Sequence, residues 1–355
     1  MKDYGNDDKS ALQAKFDAQK IAFGPIMFQA AKALRDLGIL QFLMKMRRKG
    51  ATIEETAKEL KLSVYGVKVL LEAAISLEMV MVREDRFFIT KTGYFLLSDK
   101  LTKVNMDFTH DVNYLGMFHL QESVKKGRPE GLKVFGDWDT VYEALSELPE
   151  KVRESWFGFD HYYSDVAFPE VLPLIFNEGV TKIMDVGGNT GKFSIECAKY
   201  SKDAEITILD LPGQLKDAKK NVEDSGFHDR ISFYPIDLLD VSAPFPKGFD
   251  AIWMSQFLDC FSQEEILTLL KRSYDALDDK GSLYILETYW DMQEFEASTY
   301  SLHATTLYFT AIANGNSQMY HSDDMRKLIE KADMVIEKEF ENIGVSHTLF
   351  KCRKR

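Results

Sequence analysis

One stretch constrains this chain more than any other: Lys182-Ile183-Met184-Asp185-Val186-Gly187-Gly188-Asn189-Thr190-Gly191-Lys192-Phe193. An apolar run leads into an acid, a glycine-rich turn follows, and Lys192 to Ala198 reads as a helix. A short apolar run bounded by such a turn marks a buried parallel strand, and glycine lets the backbone turn sharply and approach a ligand closely. A second strand, Ala204 to Leu209, ends on Asp210. An acid there, roughly 20 residues past the turn, is placed to hydrogen-bond ribose hydroxyls. The unit therefore reads as a β-α-β nucleotide site. It does not meet the dinucleotide fingerprint, because Asn189 stands where the second alternate glycine would fall.

From residue 180 onward strands and helices alternate, the pattern of a doubly wound α/β sheet. Strands are expected at 182–186, 205–209, 231–236, 249–254 and 282–286, and the chain closes with an antiparallel hairpin, 335–340 and 348–352. Ser262 and Glu265 stand at capping-box spacing before a helix reaching Leu277. Ligands of such sheets bind beyond the carboxyl ends of the strands. Asp185, Asp210, Asp237, Asp259 and Glu287 all fall at or just past those ends. This alignment of acids, more than the glycine turn, marks a functional site.

The N-terminal part is of another kind. Residues 10–48 read as helical, with Gly24-Pro25 expected to break or kink the run and Gly38 to end a helix in a left-handed cap. Residues 51–98 resemble a winged helix: a helix capped by Thr52 and Glu55, a second helix from Val64 to Leu77, then a hairpin with the charged tip Arg83-Glu84-Asp85-Arg86. The second helix carries one lysine and one acid between Ser63 and Glu72, which is no footprint for phosphates. A dimerisation and lid module is the favoured reading. Residues 101–178 form a helical connector rich in aromatics, Trp156, Phe159, Tyr162 and Tyr163 among them, and Tyr163 is a candidate for the wall of a substrate pocket. The expected division is thus 1–100, 101–178 and 179–355.

Composition enters here as a filter. A net charge of −12 argues against nucleic acid or an anionic membrane as partner. The three cysteines, Cys197, Cys260 and Cys352, share no metal-ligand spacing, so no metal site is expected and a reduced, cytoplasmic setting is. No apolar run reaches the roughly 18 residues a membrane span needs.

With these motifs in hand, the chain from about residue 15 onward resembles the S-adenosylmethionine (SAM)-dependent O-methyltransferases of plant caffeate type and bacterial polyketide-tailoring type. The likeness rests on Asp185-Val186-Gly187-Gly188-Asn189-Thr190-Gly191, Leu209-Asp210-Leu211-Pro212, Leu258-Asp259-Cys260-Phe261-Ser262-Gln263-Glu264-Glu265, and Gly281 to Glu287. The resemblance implies a class I methyltransferase, Rossmann-like sheet behind an N-terminal winged-helix domain, and a homodimer in which each N-terminal domain completes the partner's pocket. It implies SAM as cofactor, with Gly187, Gly188 and Gly191 against its methionine part, Asp210 and Leu211 at the ribose, Asp237 at the adenine amine and Leu238 over the ring. It places Asn314 near the acceptor, which would be a small, aromatic, hydroxyl-bearing molecule.

The chain departs from the family where the chemistry is done. The family reads Leu-His-Asp-Trp-Ser-Asp after the fourth strand, with histidine as general base; here Asp259 occupies the histidine position. The family's supporting acid is kept as Glu287, a second such acid is replaced near Met319, and a lysine near the adenine is replaced by Ser255. An ordinary aspartate near pKa 3.9 is a far weaker base than a histidine near 6.5. Burial beside Glu287 would raise one member of the pair, since two close carboxylates resist double ionisation. Three bases remain open: Asp259, His321 and His303. Two reactions also remain open: methyl transfer, or a hydroxylase, decarboxylase or cyclase reaction on the same scaffold that does not consume SAM.

Overall fold

A computed structural model of the protein describes residues 5–355. It divides into two compact units, one ending at Thr109 and one running from His110 to Arg355. The aromatic connector therefore belongs to the same compact unit as the sheet, and the boundary falls after Thr109 rather than after residue 100.

The N-terminal unit begins with a helix, Ala11–Asp36, capped by the Ser10 side chain. Pro25 lies inside it, so the expected break does not occur. Proline removes one donor from the ladder, but Ile21, Phe23 and Ile26 around it are exposed, and water can serve the carbonyl left without a partner. Gly38 adopts a left-handed conformation, as expected, and opens the helix Ile39–Met46. The Thr52–Glu55 capping box is formed at the start of Ile53–Leu60. The helix Val64–Ser76 follows, then an antiparallel hairpin of β1 (Val80–Arg83) and β2 (Arg86–Ile89). Leu34, Leu40, Leu43, Val67 and Leu71 fill this unit's core.

The larger unit is built on seven strands: β3 (Lys182–Val186), β4 (Glu205–Asp210), β5 (Ile231–Pro235), β6 (Phe249–Ser255), β7 (Leu277–Glu287), β8 (Met334–Ile343) and β9 (His347–Lys354). Their spatial order is β5-β4-β3-β6-β7-β9-β8. β3 to β7 pair in parallel, and β9 runs antiparallel between β7 and β8. Side chains alternate between the faces with the strand period of two. On β6, Ala251 and Trp253 join the core under the helices Phe168–Phe176 and Lys192–Tyr200, while Ile252 and Met254 join the core under Gln263–Ala276 and Ser322–Lys331. β7 starts at Leu277, earlier than the expected residue 282, and its pairing with β6 shifts register between Phe249 and Ala251.

The strand order reverses between β3 and β6, where the connections leave toward opposite sheet edges. That is the switch point at which doubly wound sheets open a ligand crevice. No helix among the described residues is long and apolar enough to cross a membrane.

Candidate functional site

A cleft opens at this switch point. Its floor is Asp185, Val186, Gly187 and Gly188 from the end of β3, with Trp253, Ser255 and Gln256 from the end of β6. Its far wall is Asp160, His161, Ser164 and Asp165, from the helix Glu150–Asp165. The Phe193 and Trp253 rings stack at 4.2 Å beneath it.

The glycine turn has no room for side chains. Gly187 has φ +73°, and a β-carbon there would lie 2.3 Å from the Phe257 ring. At Gly188 a β-carbon would meet Ile208 at 2.7 Å and the Asp185 carboxylate at 2.9 Å. The backbone is thus left bare toward the cleft, the form in which it can approach a bound ligand. Gly191 caps the helix Lys192–Tyr200 in a left-handed conformation.

Asp185 turns back into the protein, where Ser194 Oγ donates to it at 2.6 Å. Burial raises its carboxyl to about 7, helped by the charge of Asp210. Asp210 ends β4 and accepts the Asn189 N–H at 2.8 Å on one oxygen and the Leu211 N–H at 2.7 Å on the other. Burial lifts it to about 6 against those two donors. Each oxygen keeps a second lone pair, so Asp210 retains acceptor capacity for a ligand. Beyond β5, Asp237 is exposed and accepts the Leu239 N–H at 2.9 Å, while Leu238 is buried.

The second group of expected residues sits one turn past β6. Asp259 lies in the single turn Leu258–Cys260 and is 6% exposed. Glu287, the last residue of β7, accepts the N–H groups of Phe257 (3.0 Å) and Leu258 (2.8 Å) on one oxygen. Its other oxygen is buried and finds no partner among the described residues. Burial raises Asp259 to about 7, with the Asp160 charge adding to it. Glu287 is pushed well above the carboxylate range by burial and then by Asp259. The Cys260 thiol donates to Asp259 at 3.4 Å.

The structure brings Asp185, Gly187, Gly188 and Ser255 into one cleft and ties Asp210 to its turn. Ser255 Oγ is buried without a partner, as is Gln256 Oε1 beside it. Those orphaned polar atoms, the bare turn and the acids fit a polar, cationic cofactor such as SAM. Three expectations are placed differently. Asn314 is bound at both ends within the protein: its amide donates to the Cys260 carbonyl at 2.6 Å, and its oxygen accepts from Ser317 at 2.8 Å. Tyr163 is buried in an aromatic group with Phe159 and Tyr162, off the cleft lining. His303 and His321 flank the Trp290 ring, and His321 Nδ1 caps its own helix by accepting the Asp323 N–H at 3.1 Å. Neither histidine is among the residues lining the cleft, and Asp259 is not among them either.

Sequence reasoning missed Asp160, Asp165 and Lys192. Lys192 donates to Asp165 at 2.7 Å, and the Asn189 amide donates to Asp160 at 3.0 Å. The only available signal was the position of Asp160 and Asp165 beside His161 on one helix. Among the described residues no group of His, Cys, Asp and Glu is arranged to hold a metal ion.

Comparison with known proteins agrees with this geometry. Residues 15–87 match the model of the Dimerisation2-like domain, and residues 117–334 match the O-methyltransferase domain. The chain is 26% identical over 272 residues to the L-tyrosine C(3)-methyltransferase of Streptomyces lavendulae, covering 76% of this chain and 73% of that one. It is 26% identical over 240 residues to the 3-hydroxy-5-methyl-1-naphthoate 3-O-methyltransferase of Streptomyces sahachiroi, covering 67% of each. Among solved structures, the apo form of the S-adenosylmethionine-dependent methyltransferase SibL superposes with a TM-score of 0.73 at 23% identity, covering 95% of this chain and 98% of that one.

Proposed function

The chain belongs to the O-methyltransferase domain family and is a SAM-dependent methyltransferase, and from that premise we propose that it methylates a hydroxyl group on a small aromatic acceptor. The observation that carries this reading is the buried carboxylate pair beyond the cleft, where Asp259 is lifted to about 7. A base with that pKa is matched to a phenolic proton at neutral pH, which an ordinary aspartate is not.

In this reading the turn from Gly187 to Gly191 holds the methionine end of the cofactor. Asp210 and Leu211 take the ribose, Asp237 and Leu238 the adenine, and Ser255 supplies a hydroxyl where the family has a lysine. Bound SAM supplies a methyl group already activated for in-line displacement. The protein contributes proximity, orientation and removal of the acceptor proton. Asp259 accepts that proton on its carboxylate. Glu287 holds the turn that carries Asp259 through the Phe257 and Leu258 N–H groups. Asn314 braces the same turn from the other side through the Cys260 carbonyl, so it shapes the acceptor pocket rather than gripping the acceptor. Tyr163 acts likewise from within the pocket wall.

Residues 5–109 are assigned as a winged-helix dimerisation module, 110–178 as the pocket wall, and 179–355 as the cofactor domain. A homodimer is supported by Leu12, Phe16, Ile21, Phe23 and Ile26, all exposed on the first helix. Three free cysteines accord with a reducing, cytoplasmic setting.

A second reading, methylation of a ring carbon beside the hydroxyl, draws support from the tyrosine C(3)-methyltransferase relative. Both reactions begin by removing the phenolic proton, so Asp259 serves either. The test starts with calorimetric titration of SAM and S-adenosylhomocysteine (SAH). A panel of phenolic acceptors is then screened for SAH release, with NMR placing the new methyl on oxygen or carbon. Saturable binding without SAH release from any phenol would refute methyl transfer in favour of the non-methylating alternative.

A further inference from the structure

Asn189 holds a position that glycine would fill without strain. It sits in the glycine turn at φ +49°, a left-handed conformation, between Gly187 and Gly191, which are left-handed as well. A β-carbon in that region costs about 1 kcal/mol relative to glycine. What the side chain does there is specific. Its amide donates to Asp160 in the helix Glu150–Asp165, while its own backbone N–H donates to Asp210. One residue thus joins the acid at the end of β4 to the acid on the opposite wall of the cleft. Its Oδ1 is buried without a partner, on a residue that lines the cleft.

We propose that Asn189 is a positioning residue, a latch that couples occupation of the cofactor turn to the helix Glu150–Asp165 through its hydrogen bond to Asp160. A ligand donor that reaches Oδ1 polarises the amide and strengthens its N–H bond to Asp160, because hydrogen bonds in series reinforce one another. Asp160 faces the proposed base electrostatically, so holding it still also fixes the field at Asp259. The neighbouring Lys192–Asp165 pair joins the same two elements, but both of its side chains are more than a third exposed, and such pairs contribute little. The Asn189 link is therefore the stronger route.

This rests on the cleft being the cofactor site, and hydrogen exchange with SAH tests the two separately. In the wild type, SAH is expected to slow exchange in peptides covering 150–165 by about two- to threefold, the effect of strengthening a bond already formed. N189G suits the turn's backbone and keeps the N–H that holds Asp210. Having lost the Oδ1 contact, it is expected to bind SAH about tenfold more weakly and, at saturating SAH, to lose the response of 150–165. N189D sets two carboxylates together and loses it as well. D160N replaces the charged acceptor with a neutral amide oxygen and is expected to shrink the response. An unchanged response in N189G or N189D overturns the latch alone. No SAH binding to the wild type overturns the cofactor reading and the latch with it.

Discussion

Asp259→Asn separates two roles that a buried acid combines, and the two respond in opposite directions. Asp259 is 6% exposed and its carboxyl is raised from 3.8 to about 7. Because the folded-state value lies above the unfolded one, the native protein binds more protons between about pH 4 and pH 7, and this group's contribution to stability falls as pH rises through that window. Fully ionised, it costs the fold about 4 kcal/mol. Glu287 and Asp160 share in that titration, so a single amide substitution is expected to recover about 1–2 kcal/mol at pH 8. For a unit of this size that is a rise in Tm of about 2–8 °C. The gain should shrink as pH falls and vanish near pH 4, where both states of the wild type carry the proton. Activity moves the other way: without the base, kcat should fall about 100- to 10,000-fold, while SAH affinity is kept. Calorimetric melts from pH 4 to 8, beside initial rates of SAH release, read both effects. A variant that is less stable at pH 8, or whose kcat stays within about threefold of wild type, refutes the assignment. In the wild type, kcat/KM should rise with pH through about 7.

Four further substitutions, at three positions, probe the surroundings. Glu287→Gln keeps an oxygen for the Phe257 and Leu258 N–H groups, so kcat at pH 7 should stay within about threefold, whereas Glu287→Ala strands both donors and should cost about 2 kcal/mol or more in denaturant melts. A large loss of kcat in the glutamine variant would mean that Glu287 works ionised. Gly187→Ala drives a β-carbon into the Phe257 ring at φ +73°; SAM affinity by calorimetry should fall at least about tenfold, with about 1–3 kcal/mol lost in stability. Asp210→Asn turns one acceptor into a donor facing a backbone N–H, and SAH affinity should fall about tenfold, with kcat at saturating SAM little changed.

What the sequence made legible was local or periodic. Both capping boxes, at Thr52 and Ser262, formed as their spacing dictates, because each is closed within one helical turn. The parallel strands were readable as short apolar runs, of which β4 and β7 end on the acids Asp210 and Glu287, and β3 carries Asp185 one residue before its end. What stayed hidden depends on contacts between distant residues. Pro25 looked like a helix break, yet one missing donor is cheap where the flanking carbonyls face water. Asn314 looked like an acceptor contact, but its amide is taken by a carbonyl 54 residues away in sequence. Asp160 carried no motif, and its partner Asn189 is 29 residues distant. The same distinction bears on the chemistry. From sequence alone, aspartate in place of the family's histidine reads as a loss of base strength. Folded, that aspartate is enclosed in low-polarity surroundings, and burial restores most of the basicity that the substitution removed. In the proposed mechanism, function is therefore carried less by residue type than by the burial that the surrounding turn imposes, and the Glu287 bonds that hold this turn are as much a part of the proposed base as its carboxylate.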